Sequence, residues 1–168
     1  MRMLPVIFFF ILFASAGNYL HAKTTHNERI DSIAIHKDER KMLAFRNNKL
    51  VKTYHISLGN QPIGPKQFQG DGKTPEGLYY IDGKNPNSDY HKNLGVSYPT
   101  DAERAWAKEF KRSAGGDIKI HGFPNGYTYL DRVRLPRDWT IGCIAVTNKE
   151  IDELYELVEI GTPILITP

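Results

Sequence analysis

Short runs of β-branched and aromatic residues, each followed by polar turn residues, fill residues 31–57 of this sequence. Residues 31–36, 41–45 and 50–57 are three such runs, and their lengths and composition are typical of β-strands. They predict two hairpins in a meander. Residues 77–81 and 163–166 are further strand candidates. A fold dominated by β-structure is therefore expected.

The stretch from 59 to 77 is rich in glycine and proline, which exclude a regular helix or strand there. Its glycines lack the spacing and the strand-to-helix context of a phosphate-binding loop. We therefore expect a structured loop that binds no nucleotide.

A capping box formed by Thr100 and Glu103 predicts a short α-helix. Three apolar residues share one face of this helix, which we expect to pack into the core: Ala102, Trp106 and Phe110. We expect the helix to end at Gly115 and Gly116.

A second capping box, Thr147 with Glu150, opens another helix. Its apolar positions recur with helical spacing: Ile151, Leu154 and Val158. Gly161 is expected to close it before the last strand. The sequence thus predicts a mostly β fold with two short α-helices.

The N-terminus resembles a secretory signal peptide, because Arg2 precedes the ten-residue apolar run 4–13. We expect cleavage after Ala22, with 14–16 as a second candidate site. Residues 1–22 are then the signal peptide and 23–168 the mature domain, exported to the periplasm or the cell wall. The run is shorter than the roughly 20 residues of a spanning helix, so no stable anchor is expected after cleavage; a retained N-terminal anchor is the alternative.

Charge and length exclude some classes of function. The 168 residues suit one domain, and 22 basic against 19 acidic residues give a net charge of +3. This surplus is small and evenly spread, whereas a nucleic-acid binder concentrates a basic stripe. No nucleic-acid partner is expected.

Cys143 is the only cysteine, so an exported chain of this kind cannot contain an internal disulfide. The residue is either a small buried hydrophobe or a thiol kept for its reactivity. A thiol becomes a good nucleophile when an imidazole takes its proton. His121 is the obvious partner, because it ends the alternating run 117–122 on the side away from Ile118 and Ile120.

Metal chemistry has no support in the sequence. Clustered ligands such as His-x-His or Cys-x-x-Cys do not occur, and a zinc site needs such a cluster. We therefore expect neither a metal nor another cofactor.

The pair His121-Gly122, followed 18 residues later by Thr140-x-Gly142-Cys143, resembles the signature of the L,D-transpeptidase (YkuD-type) catalytic domain. The resemblance extends over residues 30–168 and is strongest to the murein transpeptidase branch. It implies a β-sandwich or barrel-like fold.

What the resemblance implies is thioacyl chemistry on peptidoglycan stem peptides, at the bond between the L-centre of diaminopimelate and D-Ala. Cys143 corresponds to the nucleophile and His121 to the general base and then acid. The carbonyl of Gly122 would orient the imidazole, and backbone amides around Gly142 and Cys143 would meet the oxyanion. Thr140 occupies the hydroxyl position.

Several assignments stay open at this point. His91, in a polar loop, is either a surface residue or a substrate contact, and Trp139 is either core or cleft wall. Residues 59–77 and 122–139 are candidate cleft walls. The acyl acceptor is an amine, for example on another stem peptide or a wall-attached protein, or it is water, which would make a carboxypeptidase or amidase. A non-catalytic wall-binding module is a third possibility.

Overall fold

The computed structural model describes residues 29–168; the predicted signal peptide, residues 1–22, lies outside the described residues. The elements in chain order are β1 (Ser32–His36), β2 (Lys41–Arg46), β3 (Lys49–His55), β4 (Gly77–Ser88), β5 (His91–Val96), α1 (Asp101–Glu109), β6 (Lys119–His121), α2 (Tyr129–Arg134), β7 (Ile144–Ala145), α3 (Asn148–Leu157) and β8 (Pro163–Thr167). No helix within 29–168 has the length and hydrophobicity to cross a membrane.

The strands form one curled sheet in the order β3-β2-β1-β8-β4-β5-β6-β7. The meander predicted for β1 to β3 is confirmed, since β2 pairs antiparallel with both of its neighbours. The last strand, β8, lies in the middle of the sheet, parallel to β1 and antiparallel to β4. The mostly β fold is confirmed, and the sheet leaves β5, β6 and β7 together at one end.

The core follows the alternation of the strands. Ile33 and Ile35 of β1 and Ile164 and Ile166 of β8 are almost fully buried, because alternate residues of a strand face the same side. The second predicted helix, α3, begins with the Thr147 capping box and adds its own buried face: Ile151, Leu154 and, at the C-cap, Val158.

The first predicted helix forms, but its end and its packing differ from the prediction. The Thr100 capping box is present, whereas α1 ends at Glu109 instead of reaching Gly115. Lys111, with φ 54°, takes the left-handed conformation that ends many helices. The Arg112 N–H bonds to the Ala107 carbonyl, which completes the termination without a glycine. A non-glycine residue in this conformation gives no clear sequence signal.

The expected core face of α1 is also wrong. Trp106 and Phe110 are 38% and 55% exposed, and the buried residue of this helix is Ala107. Trp106 stacks on Phe68 of the long loop at 5.2 Å and contacts Phe110 at 4.6 Å. Apolar spacing alone does not distinguish a core face from an aromatic cluster on the surface.

A third helix, α2, was not expected from the sequence. Thr128 caps it through Asp131, but its six residues include the exposed Leu130 and Val133. None of the α2 side chains whose burial is described is buried, so the segment lacks the periodic apolar face that sequence analysis uses as its signal.

Buried polar contacts hold the loop between β3 and β4. The Lys37 ammonium is 2% exposed and donates to the carbonyls of Gly64 and Thr74 and to Glu76, at 2.8, 3.1 and 2.7 Å. Asp71 accepts hydrogen bonds from the Lys66 side chain and from three backbone N–H groups of the loop. The expected structured loop is therefore fixed from within and from β1.

We expect Lys37→Met to lower the free energy of unfolding by about 3 kcal/mol, because it leaves the carboxylate of Glu76 without its buried cation. Lys41→Met is the matched control, since Lys41 pairs with Glu39 at the surface and should cost less than about 1 kcal/mol. Urea unfolding of both variants checks this. Equal losses would contradict the assigned role of Lys37.

Candidate active site

The ends of two neighbouring strands bring the thiol and the imidazole together. β6 and β7 run parallel, with Ile120 opposite Ile144 and His121 opposite Ala145. Cys143 directly precedes β7. Ile120 is buried in the core, so His121, one residue on, faces the other side of the sheet as predicted. Both reactive side chains line one cleft.

A tight turn presents Cys143. The hydroxyl of Thr140 donates to the Cys143 carbonyl at 2.7 Å and accepts from the Gly142 N–H at 3.1 Å. Gly142 has φ 132°, and a Cβ there would lie 2.6 Å from the carbonyl oxygen of Lys73. Both the conformation and the close contact therefore require glycine.

Asp138, at the start of the segment 138–143 that leads to Cys143, is held by residues far away in the sequence. Asp138 accepts from Arg40 Nη2 at 2.7 Å and from the Leu58 N–H at 3.1 Å. Burial acts to raise the pKa of Asp138, but the hydrogen bond and charge of Arg40 hold it below its usual value. Two residues on, the Thr140 N–H donates to the Leu58 carbonyl. The segment is thus fixed to the end of the β-meander.

The imidazole of His121 is fixed in one orientation. Its Nδ1 donates to the Gly122 carbonyl at 2.7 Å, the contact implied by the family resemblance. A carbonyl oxygen only accepts, so the neutral ring carries its proton on Nδ1 and leaves Nε2 as the base. The rings of Tyr90 and Trp139 lie 4.6 and 5.6 Å from the imidazole, and they help to keep His121 only 4% exposed.

Electrostatics favour a neutral pair at rest. Burial lowers the pKa of His121; the Gly122 carbonyl opposes this and the Lys119 charge adds to it. Burial raises the pKa of Cys143, while a hydrogen bond from the Lys119 backbone N–H opposes the increase. The thiol donates weakly to the Asp117 carbonyl, with Sγ 3.6 Å from the oxygen. Both pKa shifts disfavour a thiolate facing an imidazolium.

The cleft has a volume of about 780 Å³. Of the residues singled out from the sequence, Cys143, His121, Thr140 and Trp139 line it, so Trp139 is cleft wall. Gly122 and Gly142 are buried behind this surface.

His91 is not among the lining residues, and its Nε2 lies 2.9 Å from Asp152 on α3. A substrate contact at His91 stays a prediction, which this placement does not favour. Of the described side chains in the segment 122–139, Trp139 is the one that lines the cleft.

Several lining residues were not singled out from the sequence. Tyr90 and Asn93 come from the hairpin of β4 and β5, Lys66 comes from the long loop, and Lys119 precedes His121 by two residues. Tyr90 and Asn93 could have been found only from the pairing of β5 with β6, which places Asn93 directly opposite His121. Lys119 could have been found from its alternation with His121.

The backbone amides of Gly142 and Cys143, which are expected to bind the oxyanion, differ in whether they are free to donate. The Gly142 N–H donates to the Thr140 hydroxyl. In the resting site it is therefore not free for its expected role as an oxyanion donor. The Cys143 N–H has no acceptor among residues 29–168. Cys143 therefore supplies the available backbone donor beside the sulfur.

Within residues 29–168, no group of three or more His, Cys, Asp or Glu side chains is arranged to hold a metal ion.

A family model for the L,D-transpeptidase catalytic domain, YkuD, matches residues 30–166. The chain belongs to this family. YafK of Escherichia coli, named as a candidate L,D-transpeptidase, is 29% identical over an alignment of 168 positions that covers 94% of this chain and 61% of YafK. The chain thus spans less than two thirds of the length of this relative.

Solved structures with low sequence identity share the fold. Pgp2 of Campylobacter jejuni, described as a helical cell shape determining protein, superposes with a TM-score of 0.60 at 24% identity, over 83% of this chain and 50% of Pgp2. Bd1075 of Bdellovibrio bacteriovorus gives 0.57 at 24% identity, over 86% and 50%. L,D-transpeptidase 1 of Mycobacterium tuberculosis gives 0.50 at 15% identity, over 81% and 60%.

The raised pKa of Cys143 predicts how its alkylation depends on pH. The reactive thiolate accumulates as pH rises, so the rate with iodoacetamide should reach half its maximum above the ordinary thiol pKa of about 8.5. N-acetylcysteine measured in the same buffers is the reference. A midpoint below that of the reference would mean that a thiolate and an imidazolium pair in the resting enzyme.

Proposed function

We propose that this protein is a cysteine-dependent L,D-transpeptidase acting on peptidoglycan stem peptides. The observation that carries the proposal is the shared cleft of Cys143 and His121, in which the Nδ1 contact with Gly122 leaves Nε2 free as a base. Membership of the YkuD family adds the substrate class.

In the first half-reaction, His121 Nε2 takes the thiol proton and the sulfur attacks the carbonyl carbon of the diaminopimelate L-centre. The oxygen becomes an oxyanion, and the Cys143 N–H donates to it. Collapse breaks the carbon–nitrogen bond. His121 returns the proton to the departing D-Ala amine, and the acyl group stays on sulfur as a thioester.

In the second half-reaction an amine attacks the thioester. His121 Nε2 accepts the proton that the amine loses, and the proton passes to the departing sulfur, which restores the thiol. The product is a new amide, and the acceptor is another stem peptide or an amine on a wall-attached protein. If water attacked instead, the same site would act as a carboxypeptidase or amidase.

The neutral resting pair fits this cycle. The thiol loses its proton only as the carbon–sulfur bond forms, so the charge separation occurs with substrate in place. We further propose that residues 1–22 direct export, which places the domain in the periplasm or at the cell wall, where peptidoglycan is found.

The test is incubation with a disaccharide tetrapeptide containing diaminopimelate, followed by mass spectrometry. We expect free D-Ala together with a cross-linked or amine-exchanged product. Cys143→Ala should abolish both while the protein stays folded, and Cys143→Ser should be nearly as inactive, because a hydroxyl is a far poorer nucleophile. Hydrolysed tripeptide alone, even with excess amine, would identify the hydrolase. Activity near wild type in Cys143→Ala would refute the thioacyl mechanism.

His121→Ala should lower kcat by about 10²-fold or more with little change in KM, because the imidazole moves a proton in each half-reaction. Steady-state release of D-Ala measures this, and alkylation of Cys143 near neutral pH should slow in the same variant. His55→Ala is the matched control, since His55 lies exposed on β3. An effect mainly on KM would make His121 a substrate contact instead of a base.

A further inference from the structure

One polar side chain that is mostly buried in the cleft has no hydrogen-bond partner within the part of the chain that the structure describes. Asn93 is 4% exposed and lines the cleft, yet its carboxamide makes no hydrogen bond with any of residues 29–168. Neither polar atom of this carboxamide is sealed from solvent among the described residues, so both are open to the cleft. A group kept in this state within a substrate cleft points to a partner that arrives with the substrate.

The strand pairing fixes where that partner must lie. Asn93 of β5 is the register partner of His121 of β6, so the two side chains stand side by side on the same face of the sheet. On the other side of β6 is β7, directly preceded by Cys143. Across the sheet, His121 therefore lies between Asn93 and the nucleophile.

The proposed reaction assigns a part of the substrate to each of these positions. The carbonyl carbon under attack must lie at the sulfur of Cys143, and the nitrogen that gains or loses a proton must lie at Nε2 of His121. The remainder of the amine component, whether it is leaving or arriving, then extends past the imidazole toward Asn93. The acyl component extends the opposite way.

Asn93 also suits a particular kind of amine. D-Ala, and any other α-amino acid reacting through its amine, carries a carboxyl oxygen three bonds from the reacting nitrogen. The carboxamide N–H₂ can donate to that oxygen. A simple alkyl amine, or the side chain of a lysine, has no such oxygen near its nitrogen.

The aromatic rings define the rest of this side of the cleft. Tyr90 and Trp139 stack with their centroids 6.1 Å apart, and both line the cleft beside His121. The lining residues contributed by the hairpin of β4 and β5 include no lysine or arginine. The hairpin also contributes the polar side chains of Asn85, Asn87 and Ser88 to the lining, but Asn93 is the one that lies directly opposite His121 in the strand register.

We infer that Asn93 is a substrate-binding residue that hydrogen-bonds the carboxyl oxygen of an α-amino acid amine component, and so selects α-amino acids over simple amines. This inference rests on the proposed function. It assigns no proton transfer to Asn93, which acts by holding the amine component in line with His121 Nε2.

The test compares two synthetic donors that differ only in the leaving amine: a disaccharide tetrapeptide that releases D-Ala, and the corresponding tripeptide ethylamide, which releases ethylamine. For Asn93→Leu we expect kcat/KM for D-Ala release to fall about 10- to 100-fold, the value of one hydrogen bond to a charged group. Release of ethylamine should match wild type. Asn93→Asp should lower D-Ala release further, because its carboxylate repels that of D-Ala.

Two measurements separate binding from a structural role. Asn93→Leu should unfold at about the same temperature as wild type, because the carboxamide makes no hydrogen bond within residues 29–168 and leucine has a similar volume. Alkylation of Cys143 by iodoacetamide should be unchanged. Gln67→Leu is the matched control, since Gln67 is an exposed carboxamide outside the cleft lining and should behave as wild type with both donors.

The outcomes are distinct. Equal losses for both donors, or slower alkylation in Asn93→Leu, would refute the inference by showing that Asn93 acts on the catalytic pair or on the fold. Unchanged release of D-Ala in Asn93→Leu, with an active wild type, would refute the inference alone. Failure of the wild-type protein to release any amine would refute the proposed function, and the inference with it.

Discussion

The tight turn 140–143, which presents Cys143, lies directly against the backbone of the long loop 59–77. The rest of the site depends on this contact. A Cβ at Gly142 would meet the Lys73 carbonyl oxygen at 2.6 Å, and one at Gly59 would meet the Cα of Gly142 at 3.0 Å. No side chain fits between the two segments. The loop must therefore be rigid, which is the role of the buried Lys37 ammonium and of Asp71. Arg40 and Thr140 then fix the two ends of the turn through Asp138 and the Cys143 carbonyl.

Burial keeps Cys143 and His121 neutral, and therefore less reactive, when no substrate is bound. Tyr90 and Trp139 cover the imidazole, and the same exclusion of water raises the pKa of Cys143 and lowers that of His121. A pair that is neutral at rest is protected from unwanted reactions. In the proposed mechanism, the pair becomes a nucleophile and an acid when a substrate carbonyl is positioned to share the charge. In the proposed reaction, the Cys143 N–H and the Asn93 carboxamide are free donors that bind the substrate.

Much of the fold was predictable because it is local. The β-meander, the Thr100 and Thr147 capping boxes and the orientation of His121 follow from periods of two and 3.6 residues and from cap chemistry. Errors arose where the local signal was ambiguous. Lys111 ends α1 in a conformation usually taken by glycine, and the described side chains of α2 are all at least partly exposed. Trp106 has the spacing of a core residue but packs on Phe68 at the surface.

The sequence by itself determined which reactive groups are present and which of them belong together. One thiol, one imidazole at the end of a strand, and a glycine before the thiol can be recognised by residue type and spacing. Tertiary structure decided what surrounds them. Asn93 lies beside His121 only through the register of β5 on β6, and Arg40 reaches Asp138 across 98 residues of chain. Such contacts depend on which strands pair and in what register. That choice minimises the free energy of the whole chain, so no short stretch of residues specifies it.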